Sequence, residues 1–127
     1  MISHPIRAFY LSLLLLCVSF SAWAAEPSEA TRREVAHLFA HLAKAGCQFQ
    51  RNGTWHDARQ ASEHLQQKYD YLLKKGLAPT AEAFIERAGS QSSMSGKPYE
   101  VRCGTAAPVR SADWLKAELA RYRQSAR

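Results

Sequence analysis

The leading segment of this sequence constrains everything after it, because it sets the compartment in which the rest of the chain folds. Arg7 is followed by a predominantly apolar run over residues 8–20 and then by the small-x-small triplet Ala22-Trp23-Ala24. The run is shorter than the roughly 18 to 20 residues that span a bilayer as a helix. This pattern is typical of an export signal that a signal peptidase removes.

We therefore expect residues 1–24 to be a signal peptide and residues 25–127 to form a single mature domain, located in the periplasm or outside the cell. Cleavage is expected after Ala24, or after its neighbour Ala25. No second long apolar run follows in the sequence, so we expect a mature chain that does not span a membrane.

Two cysteines remain once this segment is removed, and export places them in an oxidising compartment. Cys17 lies within the leader, which leaves Cys47 and Cys103. A zinc site would need further Cys or His residues at close spacing to each of them, and the sequence has none. We therefore expect one disulfide between Cys47 and Cys103, closing a loop of about half the mature chain, and we expect neither a metal nor another cofactor.

The charge pattern argues against a nucleic-acid-binding protein. The formal net charge is +6, but the Lys and Arg residues occur singly or in pairs and are interleaved with Asp and Glu. A nucleic-acid interface needs a denser basic stripe on one face. A mildly basic surface still attracts anionic polymers and headgroups. We expect a partner that is an anionic envelope component or another periplasmic protein, whose identity the sequence does not give.

Four segments of the mature sequence have the periodicity of amphipathic helices, with apolar residues recurring every three or four positions. The first is expected to begin near Ser28. The other three follow residues whose side chains can cap a helix N-terminus, namely Asp57, Thr80 and Ser111. Glycines are expected to end the first three helices, at Gly46, Gly76 and Gly89.

Two short segments alternate apolar and polar residues, which is typical of half-buried strands. They are "CQFQR", which runs into the turn residues Asn52-Gly53, and "YEVRC" over residues 99–103. If they pair, the two cysteines come within bridging distance, in either parallel or antiparallel orientation. The fold class predicted is α+β and mostly helical, with about four helices packed on a small two-stranded β element.

His37 and His41 have the i, i+4 spacing of metal ligands on a helix. They lie well away from the centre of the apolar stripe of the first helix, and no Glu follows the first His as in a zinc protease. We expect both histidines to face solvent.

A candidate site is indicated by two polar regions. On the second helix, His64 and Lys68 lie one turn apart beside the apolar stripe, where they can border a cleft as an acid or base and as an anion contact. The serine-rich loop over residues 90–97 places the hydroxyls of Ser92, Ser93 and Ser95 and free backbone amides beside Lys97, which are the parts of an anion-binding nest. The loop lacks the Walker, Ser-x-x-Lys and Gly-x-Ser-x-Gly patterns, so no serine is assigned a catalytic role.

Four stretches, "FQRNGTW", "ASEHLQQKYDYLL", "TAEAFIERA" and "SSMSGKPYEVRCG", occur in this order after the export signal. Together they resemble the YfeK-like family of small secreted bacterial proteins, a domain of unknown function. The resemblance extends from the first helix to the final "WLKAELARYR". It implies an envelope location and a shared small fold, and it brings no activity, ligand or catalytic residue.

The leading functional hypothesis is a non-catalytic binding or interaction domain that recognises an anionic or polar partner. Its candidate binding residues are Arg51, Asn52, His64, Lys68, Ser92, Ser93, Ser95, Lys97 and Tyr99. A second hypothesis is a small hydrolase or transferase with His64 as base and a loop serine as nucleophile. A third is a scaffold or inhibitor that acts through an exposed apolar face around Trp55 and Trp114.

Maturation tests the interpretation of the leader. Expression of the full chain in a Gram-negative host should yield a protein in the periplasmic fraction whose first residue, determined by mass spectrometry, is Ala25 or Glu26. A protein that keeps residues 1–24 and remains in the cytoplasm would contradict it.

Overall fold

The structure, a computed structural model, describes residues 26–127. These residues form a mostly helical α+β fold, as the sequence predicted. The elements in chain order are α1 (Glu29–Lys44), β1 (Gln48–Arg51), β2 (Thr54–His56), α2 (Ala58–Lys75), α3 (Ala81–Ala88), β3 (Glu100–Arg102), β4 (Val109–Arg110) and α4 (Ser111–Ser125). The expected signal peptide, its cleavage site and Cys17 lie outside the described residues.

Side-chain caps define the starts of the central helices. Asp57 accepts a hydrogen bond from the amide of Gln60, whose side chain accepts one from the Asp57 amide, so the predicted capping box is present at α2. Thr80 accepts from the amide of Ala83 at α3. Gly76 ends α2 at a φ of 66°, a left-handed conformation that favours glycine.

The predicted cap of α4 is wrong. Arg110 occupies the capping position and makes no side-chain cap, while Ser111 is the first residue of the helix. The reason is tertiary, because β4 leads directly into α4 and the amide of Ser111 donates to the carbonyl of Tyr99, 2.9 Å away. A backbone acceptor outside the helix thus satisfies this amide.

The sheet has four strands in the order β2-β1-β3-β4, and all neighbouring pairs are antiparallel. The sequence predicted a two-stranded element, which is two strands fewer than the sheet contains. β1 and β3 are the two strands that the sequence indicated, and Phe49 lies opposite Val101 in their pairing. A tight turn at Asn52 and Gly53, with φ values of 50° and 80°, adds β2. β2 and β4 have three and two residues, too short for an alternating pattern to be visible.

α2 and α4 pack against the sheet, α1 and α3 pack against these two helices, and together they form the core. Val101 and Phe49 contribute from the sheet. α3 is the shortest helix and its apolar side is almost wholly buried, with Phe84 and Ile85 at 0% exposure. The four helices of the described region are too short or too polar to cross a membrane.

The predicted disulfide is confirmed. Cys47 and Cys103 are bonded, with Cα atoms 4.4 Å apart. They flank the last register pair of β1 and β3, in which Gln48 lies opposite Arg102. The bridge therefore fastens the end of the central strand pair.

The expectation that His37 and His41 face solvent is wrong. His37 stacks on Tyr122, with ring centroids 4.2 Å apart, and its Nε2 lies 2.8 Å from Oε1 of Glu118. His41 packs against Trp114 at 4.5 Å. The reason is that α4 packs against the side of α1 that the apolar stripe leaves uncovered. Within residues 26–127, no group of three or more His, Cys, Asp or Glu side chains is arranged to hold a metal ion.

The disulfide is expected to make a large contribution to stability. Replacing both Cys47 and Cys103 by alanine should lower the free energy of unfolding by about 4 kcal/mol, because a 56-residue separation is no longer closed in the unfolded chain. Urea titration followed by tryptophan fluorescence measures the change. Reducing agent should destabilise the wild type by a similar amount and leave the variant unaffected. Equal unfolding midpoints for oxidised and reduced wild type would contradict this expectation.

Candidate functional site

One helix and two strand ends bring four side chains into a hydrogen-bonded chain, which we call the Tyr99 cluster: Arg51, His64, Lys68 and Tyr99. Arg51 Nη1 lies 2.8 Å from His64 Nδ1, and His64 Nε2 lies 3.1 Å from the hydroxyl oxygen of Tyr99. Lys68 Nζ donates to the same oxygen at 3.1 Å and to the carbonyl of Gln91 at 3.0 Å. The cluster therefore links α2 to the ends of β1 and β3.

Local periodicity explains why these side chains meet. His64 and Lys68 are four residues apart on α2 and project from the same side of it. Arg51 is two residues beyond Phe49, and Tyr99 is two residues before Val101. Because side chains alternate along a strand, Arg51 and Tyr99 share the helix-facing side of the sheet with the core residues. The cluster consequently lies at the rim of the core.

The hydrogen bonds determine which atoms carry protons. A guanidinium can only donate, so Arg51 donates to His64 Nδ1, and the neutral imidazole donates from Nε2 to Tyr99. Lys68 also donates to Tyr99, whose oxygen thus accepts two hydrogen bonds. No acceptor for the Tyr99 hydroxyl proton is found within residues 26–127.

The cluster is electrostatically positive. Burial lowers the pKa of His64, and the charges of Arg51 and Lys68 lower it further. Burial also lowers the pKa of Lys68, with Arg51 adding to the effect. Burial raises the pKa of the Tyr99 hydroxyl, although the charge of Arg51 opposes this. All ion pairs formed within residues 26–127 lie elsewhere, so Arg51 and Lys68 have no carboxylate partner in that region.

The serine-rich loop is fastened to the β1–β2 turn. Asn52 Nδ2 donates to Ser92 Oγ at 3.3 Å, and Ser95 Oγ donates to Asn52 Oδ1 at 2.6 Å. Ser92 Oγ also accepts from the amides of Met94 and Ser95. The amide of Lys97 donates to Ser95 Oγ. The expectation of free backbone amides in this loop is therefore wrong for these positions, because the loop uses its own serine oxygens as acceptors.

The nine candidate residues divide into two hydrogen-bonded groups and two exposed side chains. The first group is the Tyr99 cluster. The second joins Asn52 to Ser92 and Ser95. The side chains of Ser93 and Lys97 are exposed and make no hydrogen bond within the described part of the chain. The carbonyl of Lys97 accepts from the amide of Ser92 at 2.9 Å, which holds this residue beside both groups.

A pocket of ≈ 50 Å³ adjoins the cluster, and the sequence did not indicate it. Arg51, His64 and Tyr99 line it together with the buried side chains of Leu42, Phe49 and Leu65. Each apolar residue is recognisable from sequence as a core position. No sequence signal shows that the core leaves space at this point, because the space depends on how α2 and β1 pack.

The site does not form the contact that a nucleophilic mechanism needs. Both ring nitrogens of His64 are engaged, one by Arg51 and the other by Tyr99. The hydroxyls of Ser92 and Ser95 bond to Asn52. The hydrogen bond between a histidine base and a loop serine is thus not formed in this arrangement. What the arrangement offers is a set of fixed donors: two cations and a phenol.

Comparison with known proteins gives a family and a relative. A family model described as "Family of unknown function (DUF5329)" matches residues 29–123. A protein of Salmonella typhimurium (strain LT2) described as "Uncharacterized protein YfeK" is 34% identical over 88 residues, which covers 69% of this chain and 72% of that protein. No solved structure matches the chain.

The electrostatics of the cluster predict an acid-sensitive contribution to stability. The pKa of His64 in the folded state lies below its ordinary value of 6.5. The unfolded chain then binds more protons at mildly acidic pH, so the free energy of unfolding should fall as the pH drops below about 6.5. An NMR titration of the histidines should give a His64 pKa below 6.5, and Arg51→Gln should raise it by removing a nearby positive charge.

Lys74→Gln is the matched control for this titration, because Lys74 is exposed on the same helix. It should leave the pKa of His64 unchanged. A wild-type His64 pKa at or above 6.5 would contradict the predicted sign.

Proposed function

Because the chain belongs to the DUF5329 family, whose function is unknown, we propose a function from the geometry of its site: an exported, non-catalytic binding domain that recognises an anionic ligand at the Tyr99 cluster. The observation that carries this proposal is the fixed pair of cations, Arg51 and Lys68, without a carboxylate partner in the described region. An anion bound beside the cluster would supply the missing counter-charge.

Arg51 and Lys68 are both partly buried. Two cations held together away from bulk water repel each other more strongly than they would at a fully exposed surface. The lowered pKa of Lys68 and that of His64 reflect burial first and this shared positive charge second. A hydrogen bond to a charged group contributes about 1.5 to 3 kcal/mol, roughly twice a neutral one. An anion here would therefore gain more than at the scattered surface lysines.

The site is also held in place before a ligand arrives. Lys68 is tethered by the Gln91 carbonyl, and His64 is held between Arg51 and Tyr99. Ordering one flexible side chain on binding costs about 0.5 to 1.5 kcal/mol. Because these side chains are already ordered by hydrogen bonds, little of this cost remains.

Export and the nature of the partner are part of the proposal. The Cys47–Cys103 disulfide is compatible with an oxidising compartment such as the periplasm. The leader discussed above would deliver the chain there. The partner we propose is an anionic component of the bacterial envelope or an envelope protein that presents an anionic group.

The other two hypotheses have less support. The hydrolase or transferase would need His64 to give up at least one of its present partners before it could bond to a loop serine. The scaffold or inhibitor would need an exposed apolar face at its two tryptophans. Arg102 lies over the ring of Trp55 at 3.9 Å, and Trp114 packs against Phe49 and His41. Both rings are thus partly covered by the protein itself.

Binding of inorganic phosphate and of acetate tests the proposal. Titration of the ¹⁵N-labelled mature protein should give saturable NMR chemical-shift changes centred on the Tyr99 cluster, because the anions bind its unpaired charges. Low ionic strength is used because salt screens this attraction. Replacing both cations, as Arg51→Gln with Lys68→Met, should weaken binding of each anion at least about tenfold.

Lys74→Met is the matched control, because it removes an exposed lysine from the same helix. It should bind as the wild type does. Circular dichroism should show that all variants are folded. Chemical-shift changes that do not saturate, or that are equal in the wild type and the double variant, would contradict the proposed function.

A further inference from the structure

The pocket beside the Tyr99 cluster combines an apolar interior with a polar entrance that includes the guanidinium of Arg51. Its most buried lining comes from Leu42, Phe49 and Leu65, whose exposures are 3%, 8% and 6%. Arg51 and His64, which are half-buried, line the same pocket nearer to the surface, as does Glu100. Arg51 forms no ion pair with Glu100, so its charge can bind an anionic group of a ligand whose apolar part enters the interior.

The entrance has unused hydrogen-bonding capacity. The guanidinium of Arg51 has five N–H donors, and one of them bonds to His64. No other partner of this guanidinium is present within residues 26–127. A guanidinium presents its donors as a planar fork that matches two oxygens of a carboxylate or of a phosphate group, whereas an ammonium acts as a point charge. The fork at the entrance thus suits an anion with two adjacent oxygens, and the size and polarity of the pocket decide between these anions.

The size of the pocket limits the apolar part. The volume of ≈ 50 Å³ compares with the roughly 10 to 15 Å³ that one water-sized group requires, so about four heavy atoms fit. Inorganic phosphate would leave the apolar interior unfilled. A long acyl chain would not fit without moving core residues.

We propose that the ligand of this site is a carboxylate joined to a short aliphatic group, with Arg51 bonding the carboxylate and the cavity between α2 and β1 enclosing the aliphatic group. The inference rests on the proposed function and specifies its ligand. Two sources carry this chemistry: a free short-chain carboxylic acid, and the C-terminus of a peptide that ends in a residue such as leucine.

The first experiment varies the length of the ligand on the unaltered mature protein. Dissociation constants for acetate, propionate, butyrate, isovalerate and octanoate are measured by NMR titration at one ionic strength. Each methylene added up to isovalerate should tighten binding about fourfold, because it is buried in the apolar interior. Octanoate should bind more weakly than isovalerate. Equal affinity for acetate, isovalerate and phosphate would overturn the inference and leave the proposed function standing.

Variants separate the two parts of the site. Arg51→Gln should weaken every carboxylate at least about tenfold. Ala61→Leu adds three carbon atoms to a residue that lines the pocket, and should reduce isovalerate binding to the level of acetate. Lys74→Met should bind as the wild type does. If the filled-cavity variant still prefers isovalerate to acetate, the aliphatic group lies elsewhere and the inference fails. Failure of all anions to bind the wild type would overturn both proposals.

The source of the carboxylate is decided by a third comparison. An N-acetylated tripeptide ending in leucine is titrated beside its C-terminal amide and beside isovalerate. Tighter binding of the peptide, lost on amidation, supports the inference with a peptide C-terminus as the source. Tighter binding of isovalerate supports it with a free acid. A peptide amide that binds as well as the peptide acid would overturn the role of the carboxylate.

Discussion

The pairing of β1 with β3, closed by the disulfide, is the constraint on which the rest of this structure depends. Phe49 opposite Val101 sets which side of both strands faces the helices. The bridge between Cys47 and Cys103 lies one step beyond the last register pair, so the strands cannot separate there. The intervening chain contains α2 and α3. Of these helices, α2 packs against β1 and β2, and α3 packs against α1, α2 and α4.

The same pairing creates the polar cluster as a consequence of its geometry. Arg51 and Tyr99 occupy strand ends on the helix-facing side, at the point where α2 crosses. His64 and Lys68 complete the cluster from that helix. Two cations are thereby held at the rim of the core, where burial, and after it the charge of Arg51, lower the pKa of Lys68. In the function proposed above, an anionic ligand would offset this repulsion and so stabilise the fold.

The serine-rich loop shows that the residue composition of a segment does not by itself predict its function. Its hydroxyls and its glycine suggested donors that await an anion. In the fold, Ser92 accepts from two loop amides, and Asn52 joins it to Ser95. The loop is thus a brace that holds the β1–β2 turn next to the start of β3. Residue types alone do not reveal this, because a hydroxyl satisfies a neighbouring amide as readily as it binds a ligand.

The sequence by itself determined the four helices, the caps at Asp57 and Thr80, the two main strands and the disulfide. These features depend on local periodicity and on the fact that only two cysteines lie beyond the apolar leading segment. Only the tertiary structure decided that β2 and β4 exist and that the carbonyl of Tyr99 accepts a hydrogen bond from the amide of Ser111. It also decided that α4 covers His37 and that a pocket remains beside the Tyr99 cluster. The physical reason is that a repeating pattern tells which side of one element is apolar. It does not tell which other element covers that side, or how closely.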